Sequence, residues 1–284
     1  MPGATIETRV SKLDGTIKLL LRFADGAAAE SVVLFNKGRA SACLSSQSGC
    51  ACGCGFCATG ALGLKRDLTA EEILGQFAAC RKAAAGALNS LVFMGMGEPF
   101  LNWENVRRSI LELSDQKKSG FPQSRMTVST VGINPGIREL AESGLKVNLA
   151  VSIVTADERQ RAKLVPMNKK YPLSAVIEAS RYYCERSGRA VFFEYILFGG
   201  LNDAPGDAEK FVALVSGINC KINLIRYNPS GKTGFSPVSA DKAKEFQKIL
   251  MAAGLRSYLR REKGADIAAA CGQLADDGLY EDRL

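Results

Sequence analysis

Residues Ser90–Asp115 read SLVFMGMGEPFLNWENVRRSILELSD. The opening run, 90–96, is continuously apolar and too short for a helix. It gives way to apolar residues at helical spacing over about 102–115. A strand that is apolar throughout, not alternating, suits a parallel sheet covered on both faces. The same unit recurs in both directions along the chain. MTVSTV (126–131), KVNLAVSI (146–153), AVFFEYILF (190–198) and KINLIRYN (221–228) read as further buried strands. Helical segments are predicted near 69–85, 136–143, 173–187, 204–216 and 239–253, the first opened by a Thr69/Glu72 capping box.

Strand–helix repetition predicts an α/β fold with a parallel sheet. With a strand near 40–45 the chain makes about six β/α units, fewer than the eight of a closed barrel. The expected architecture is a partial, open β/α barrel. Before it, Thr5 to about Leu44 carries short strands and turns. Asp14-Gly15 in KLDGTIKLLLRF (12–23) is a hairpin signal, and Phe23–Gly26 is a second turn. The predicted division is an N-terminal antiparallel β extension over 1–40 and a barrel core over 41–284. Active sites of such folds lie at the C-terminal ends of the strands. Those ends read as the loop at Cys50, Gly95-Met96-Gly97-Glu98, Ser129-Thr130, Ser152 and Tyr227-Asn228.

Composition narrows the chemistry. The 284 residues carry a net charge of +8, 37 basic against 29 acidic, which suits a polyanionic partner. There is no histidine, so proton transfer falls to Cys, Glu, Asp, Lys or Tyr. No apolar run approaches the roughly 18 residues of a membrane span, and MPGATIETRV has no basic region followed by an apolar one. A cytoplasmic protein without membrane contact is expected.

Nine cysteines are odd in number and clustered. Cys80, Cys184 and Cys220 sit in apolar periodic segments and read as core residues. Gly49–Gly60 reads GCACGCGFCATG. Cys50, Cys54 and Cys57 have the spacing C-x3-C-x2-C. Structural zinc wants four ligands in separated pairs, and neither a second pair nor a histidine is present. Three thiolates on one loop can instead hold three irons of a 4Fe-4S cluster and leave the fourth open for S-adenosylmethionine. Cys52 is expected to face away from the ligand set. A closed zinc site and a simple electron carrier stay open at this point.

CLSSQSGCACGCGFCATG (43–60), LVFMGMGEP (91–99), TVSTVGINPGIREL (127–140), LAVSI (149–153), LVPMNKKYPL (164–173), FEYILFGGLND (193–203), NLIRYNP (223–229) and ADIAAACGQLA (265–275) occur in this order. Together they resemble the RlmN/Cfr group of radical S-adenosylmethionine RNA methyltransferases, over about residues 5–280. The resemblance implies cluster ligation by Cys50, Cys54 and Cys57. It implies cofactor contacts from Gly97, Glu98, Ser129, Ser152 and Asn228. Cys271 matches the cysteine that takes a methyl group, Cys43 its partner and Glu30 a proton acceptor. Read alone, Cys271 would be a small core residue and Glu30 an exposed strand carboxylate.

The implied reaction uses two molecules of S-adenosylmethionine per turnover. One methylates the Cys271 thiolate. The other is cleaved to a radical that takes a hydrogen from the new S-methyl group, and the resulting methylene radical adds to a carbon of adenine. Loss of an electron and a proton, with Cys43 attacking the Cys271 sulfur, then releases product and leaves a Cys43–Cys271 disulfide. The implied partners are ribosomal or transfer RNA and an electron donor such as flavodoxin or ferredoxin, with the enzyme a monomer. Lys169, Lys170, Arg226 and Lys232 are expected on the RNA-facing side.

The sequence also departs from the family pattern. Against the resemblance, it is expected to be without the helical N-terminal accessory domain. Ser152-Ile153-Val154 stands for Ser-Leu-His, Ile225-Arg226 for Ile-Pro, and Lys263-Gly264-Ala265 for Arg-Gly-Asp. These departures fall where substrate would be recognised, so a radical enzyme acting on a small molecule or protein is the alternative.

Overall fold

A computed structural model describes residues 4–230 and 234–275; Lys232 lies outside them. The chain divides into two compact units, one of Met1–Gly53, Cys57–Ser129 and Lys263–Leu284, the other of Cys54–Phe56 and Thr130–Glu262.

The first unit opens with an antiparallel meander of β1 (Thr5–Val10), β2 (Ile17–Arg22), β3 (Ala28–Asn36) and β4 (Arg39–Cys43). The Asp14-Gly15 signal makes the first turn. Gly15 takes φ 73°, and Asp14 Oδ1 accepts the Thr16 N–H at 2.9 Å. Two short strands, β5 (Gln47–Gly49) and β6 (Leu64–Asp67), pair on either side of α1 (Ala58–Ala61). Then come α2 (Ala70–Ala83), β7 (Leu88–Phe93), α3 (Trp103–Ser114) and β8 (Met126–Thr130). The capping box opening α2 is complete, each of Thr69 and Glu72 accepting the other's backbone N–H. β4, β7 and β8 run parallel. Leu91 and Phe93 of β7 and Val106 and Ile110 of α3 are fully buried. Each side chain of that size contributes roughly 1.5–3 kcal/mol by leaving water.

The second unit contains α4 (Asn134–Glu142), β9 (Asn148–Ser152), α5 (Glu158–Leu164), α6 (Leu173–Ser187), β10 (Val191–Leu197), α7 (Pro205–Leu214), β11 (Cys220–Arg226), α8 (Ala240–Ala252) and β12 (Ser257–Leu259). Strands β9 to β12 pair in sequence order, all parallel. One face of this sheet is aromatic. Tyr195 lies 4.9 Å from Phe211 of α7 and 5.0 Å from Phe246 of α8, ring centre to ring centre. In a strand the next residue points the other way, so Glu194 lies on the opposite face. There it shares one register row with Ser152 and Asn223.

The fold is the expected mixed α/β arrangement, parallel strands preceded by an antiparallel N-terminal set. Helix α5 and strands β5, β6 and β12 were not expected. The strands are three or four residues long, too short for periodicity to register. Among the described residues no helix is long and apolar enough to cross a membrane.

Candidate active site

The cysteine loop grows from β5. Gly49 closes that strand at φ 79°, where any Cβ would lie 2.0 Å from the Gly63 carbonyl oxygen, so only glycine fits. The next residue donates its N–H to the same oxygen at 2.9 Å. This brings Cys50 out of the strand half-buried. A hydrogen bond from the Cys52 side chain, helped by the Cys52 amide, holds the Cys50 thiol below its ordinary range; burial and the Glu98 carboxylate oppose this. Cys52 is itself 3% exposed. It therefore does not face away, as expected, but turns its sulfur onto Cys50. Cys57 caps the first turn of α1, and desolvation pushes its thiol up against the pull of the Gly60 and Thr59 amides.

Gly97 and Glu98 follow β7. Glu98 is 3% exposed. Its N–H goes to Gln47 Oε1 at 2.9 Å, and its Oε1 accepts the Phe100 N–H at 3.1 Å. Gln47 is anchored in turn, its Nε2 donating to Asp67 at 2.7 Å. Gly97 takes φ 95°, and a Cβ there would sit 2.5 Å from Gln47 Cβ. Gly97→Ala is expected to lower stability by about 1–2 kcal/mol from the backbone alone, and to weaken S-adenosylmethionine binding about tenfold by displacing Gln47 and with it Glu98. Denaturant melts and equilibrium dialysis check this; wild-type binding would rule out the cofactor contact that the resemblance implies for Glu98. Ser129 lies half-buried on β8.

Cys43, Cys271 and Glu30 belong to the same unit. Cys43 ends β4 and packs with Val32, Met96, Ala269, Leu274 and Ala275. The last three flank Cys271, which is exposed. Neither cysteine is in a disulfide. Cys271 is thus not the buried core residue it would be on composition alone. Glu30, read alone as an exposed carboxylate, is fully buried. Lys18 Nζ lies 3.1 Å from its Oε1, and the Ala275 N–H donates to its Oε2 at 2.8 Å.

The second unit carries Cys54, Ser152 and Asn228. Cys54 is half-buried; next to it, the Gly55 N–H donates to Leu164 O at 2.9 Å. Ser152 is half-buried at the end of β9, and Asn228, 6% exposed, follows β11. Sequence reasoning missed Arg161, a fully buried arginine on α5. Its guanidinium donates to Ile153 O, Asn168 Oδ1, Val131 O and Ser152 O. Burial lowers it to about 10, while Cys54 and Glu158 favour its charge. A cation there offsets negative charge on the Cys54 sulfur. Glu194 was also missed. It accepts from Asn223 Nδ2 at 2.8 Å, and burial pushes its carboxyl up. Val154, standing where the resemblance leads one to expect histidine, is buried at φ 69°, a rare conformation for a β-branched residue.

On the expected RNA side, Lys169 and Lys170 are exposed at the end of the 3-10 turn Pro166–Lys169. Arg226 is committed to Glu262 at 2.8 Å.

A parallel β/α fold with a C-x3-C-x2-C loop after its first parallel strand defines a radical SAM protein, and the Radical SAM superfamily model matches residues 44–212. A probable dual-specificity RNA methyltransferase RlmN of Thermotoga neapolitana is 43% identical over 269 residues, 95% of this chain and 78% of that protein. The dual-specificity RNA methyltransferase RlmN 2 of Myxococcus xanthus is 41% identical over 93% of this chain and 72% of its own. The crystal structure of a radical SAM methyltransferase from Sphaerobacter thermophilus superposes with a TM-score of 0.91 at 42% identity, covering 94% of this chain and 80% of that one. The chain belongs to the RlmN family of the radical SAM superfamily.

Membership implies a 4Fe-4S cluster and S-adenosylmethionine. The donor set fits: three half-buried thiols within eight residues, none in a disulfide. Among the described residues no three Cys, His, Asp or Glu groups close on a single ion position. Thiolates on three separate irons stand farther apart than ligands of one ion.

Proposed function

We propose that the protein is a radical S-adenosylmethionine RNA methyltransferase that methylates a carbon of adenine by way of a methylated Cys271. The observation that carries this reading is the setting of Cys271: an exposed thiol whose flanking residues pack on a second cysteine, Cys43, and hydrogen-bond to a buried carboxylate, Glu30. A structural cysteine would need none of these.

Cys50, Cys54 and Cys57 would hold the cluster, and Gly97, Glu98, Ser129, Ser152 and Asn228 the cofactor. Glu98 suits the ammonium of the methionine part. The bound groups supply a carbon radical when reduced, from a donor such as flavodoxin or ferredoxin. Cys271 accepts a methyl group as a nucleophile, which requires its thiolate. Glu30 accepts the proton lost from the methylated carbon. Cys43 attacks the Cys271 sulfur and breaks its bond to the methylene carbon, which takes a proton and leaves as the product's methyl group while a Cys43–Cys271 disulfide remains. One molecule of S-adenosylmethionine supplies the methyl group and another the radical, so each turnover uses two. Residues 1–40 act as a β extension to the 41–284 core, in a monomer that works in the cytoplasm.

The deciding experiment is anaerobic reconstitution followed by identification of modified nucleosides in RNA incubated with the enzyme. Methylated adenosine supports the reading; labelled small molecules or peptides with untouched RNA overturn it. Binding should weaken as salt rises, because phosphate contacts release counterions. Changing both Lys169 and Lys170 to Ala should shallow the log–log salt slope by roughly one unit per lost contact. An unchanged slope would move the RNA away from this turn.

A further inference from the structure

The segment that carries Cys271 is held by a buried ion pair in which only Glu30 has a task so far. Lys18 on β2 and Glu30 on β3 are 1% and 0% exposed. An ammonium taken out of water is tolerated only where it is well partnered. Lys18 Nζ has Glu30 Oε1 at 3.1 Å and the Ala268 carbonyl at 3.3 Å. The Ala275 N–H occupies the other carboxylate oxygen, Oε2, at 2.8 Å. The pair thus grips the segment on both sides of Cys271.

The backbone at the two grip points is unusual. Ala268 takes φ 48° and Ala275 φ 74°, a region that non-glycine residues occupy only when their surroundings impose it. Each of these strained residues makes one of the two bonds to the pair. Between them Cys271 is exposed, while Ala269, Ala270 and Leu274 are buried. Further bonds fasten the same stretch. Thr59 Oγ1 donates to Leu274 O at 2.8 Å, and the Ala58 N–H to Gly272 O at 2.8 Å.

We propose that Lys18 and Glu30 form a latch that positions the Cys271 segment, with Lys18 a positioning residue for the reaction. The latch rests on the methyltransferase reading for its purpose but not for its existence. With Lys18 at one oxygen and Ala275 at the other, Glu30 is engaged on both sides. Each carboxylate oxygen keeps a second lone pair, so the latch can hold the segment while Glu30 stays able to take a proton, and losing either bond frees the strained backbone to relax.

The test is hydrogen exchange on the intact chain. In Lys18→Met, amides of 269–275 should exchange at least about tenfold faster, since exchange follows local opening, while β10 and β11 stay as in wild type. Should Lys18→Met fail to fold, Glu30→Gln keeps the shape of the side chain while removing the charge that holds Lys18, and should loosen the same amides. Wild-type protection in either folded variant overturns the latch. In the loaded enzyme, Lys18→Met should raise the ratio of 5′-deoxyadenosine formed to RNA methylated about fivefold or more, because a loosened segment presents Cys271 less often. A general loss of stability would lower both yields and leave the ratio alone, which would make Lys18 a structural residue only. If the amides loosen but wild-type enzyme methylates no RNA, the substrate reading falls and the latch stands.

Discussion

In Cys43→Ala, RNA should remain covalently attached to Cys271. The first half of the reaction needs only the Cys271 thiolate and proceeds. The base is then joined to the protein through the Cys271 sulfur, and nothing is left to attack that sulfur. Multiple turnover should fall by about 10²-fold or more, the scale expected when a positioned reacting group is lost. A denaturant-resistant protein–RNA band should build up in its place. Cys271→Ala should give neither band nor product. The comparison is clean because Cys43 ends β4 in a packed cluster with Val32 and Met96. Removing one sulfur there costs on the order of 1 kcal/mol, too little to unfold a domain. Normal turnover in Cys43→Ala would end the two-cysteine account.

Replacing any one of Cys50, Cys54 and Cys57 by Ala should abolish iron binding after anaerobic reconstitution, against about four irons per wild-type chain. Cys52→Ala should keep the iron but bind it differently with pH. A thiol must lose its proton to ligate. The Cys52 side chain is the leading cause that lowers Cys50. Without it the folded Cys50 moves up toward its ordinary range, so the midpoint of cluster assembly should shift to higher pH, with full loading recovered above it. Iron loss in Cys52→Ala at every pH would make Cys52 a ligand. Iron retention in Cys50→Ala would overturn the ligand set.

The cysteine loop and the β/α order were legible because each is written locally. Spacing fixes the loop, and a continuous apolar run followed by helical periodicity fixes each unit. What stayed hidden depends on partners distant in sequence. Arg161 sits in ERQRAKL, a string that reads as a solvated helix face, and only the fold shows its guanidinium meeting four acceptors. Lys18 looks like an outward residue of an alternating hairpin, yet its nitrogen reaches Ala268, 250 positions on. Glu194 lies in an apolar strand whose neighbours point to the aromatic side. Arg226 is expected on the RNA-facing side from its place near the end of a strand, and its Glu262 partner could not be inferred from either short stretch.

Cys271 is the one exposed thiol among the described cysteines; the others are buried or half-buried. A small soft electrophile offered to enzyme with its three ligand cysteines engaged should therefore mark Cys271 first, since labelling follows access and thiolate character. The same electrophile loses its most accessible thiol once that sulfur carries a methyl group. Alkylation of the native protein thus becomes a gauge of methyl occupancy, read from the intact mass of a sample taken at any time. An acrylamide-type compound shaped to this exposed turn would be a covalent inhibitor that selects the unmethylated enzyme.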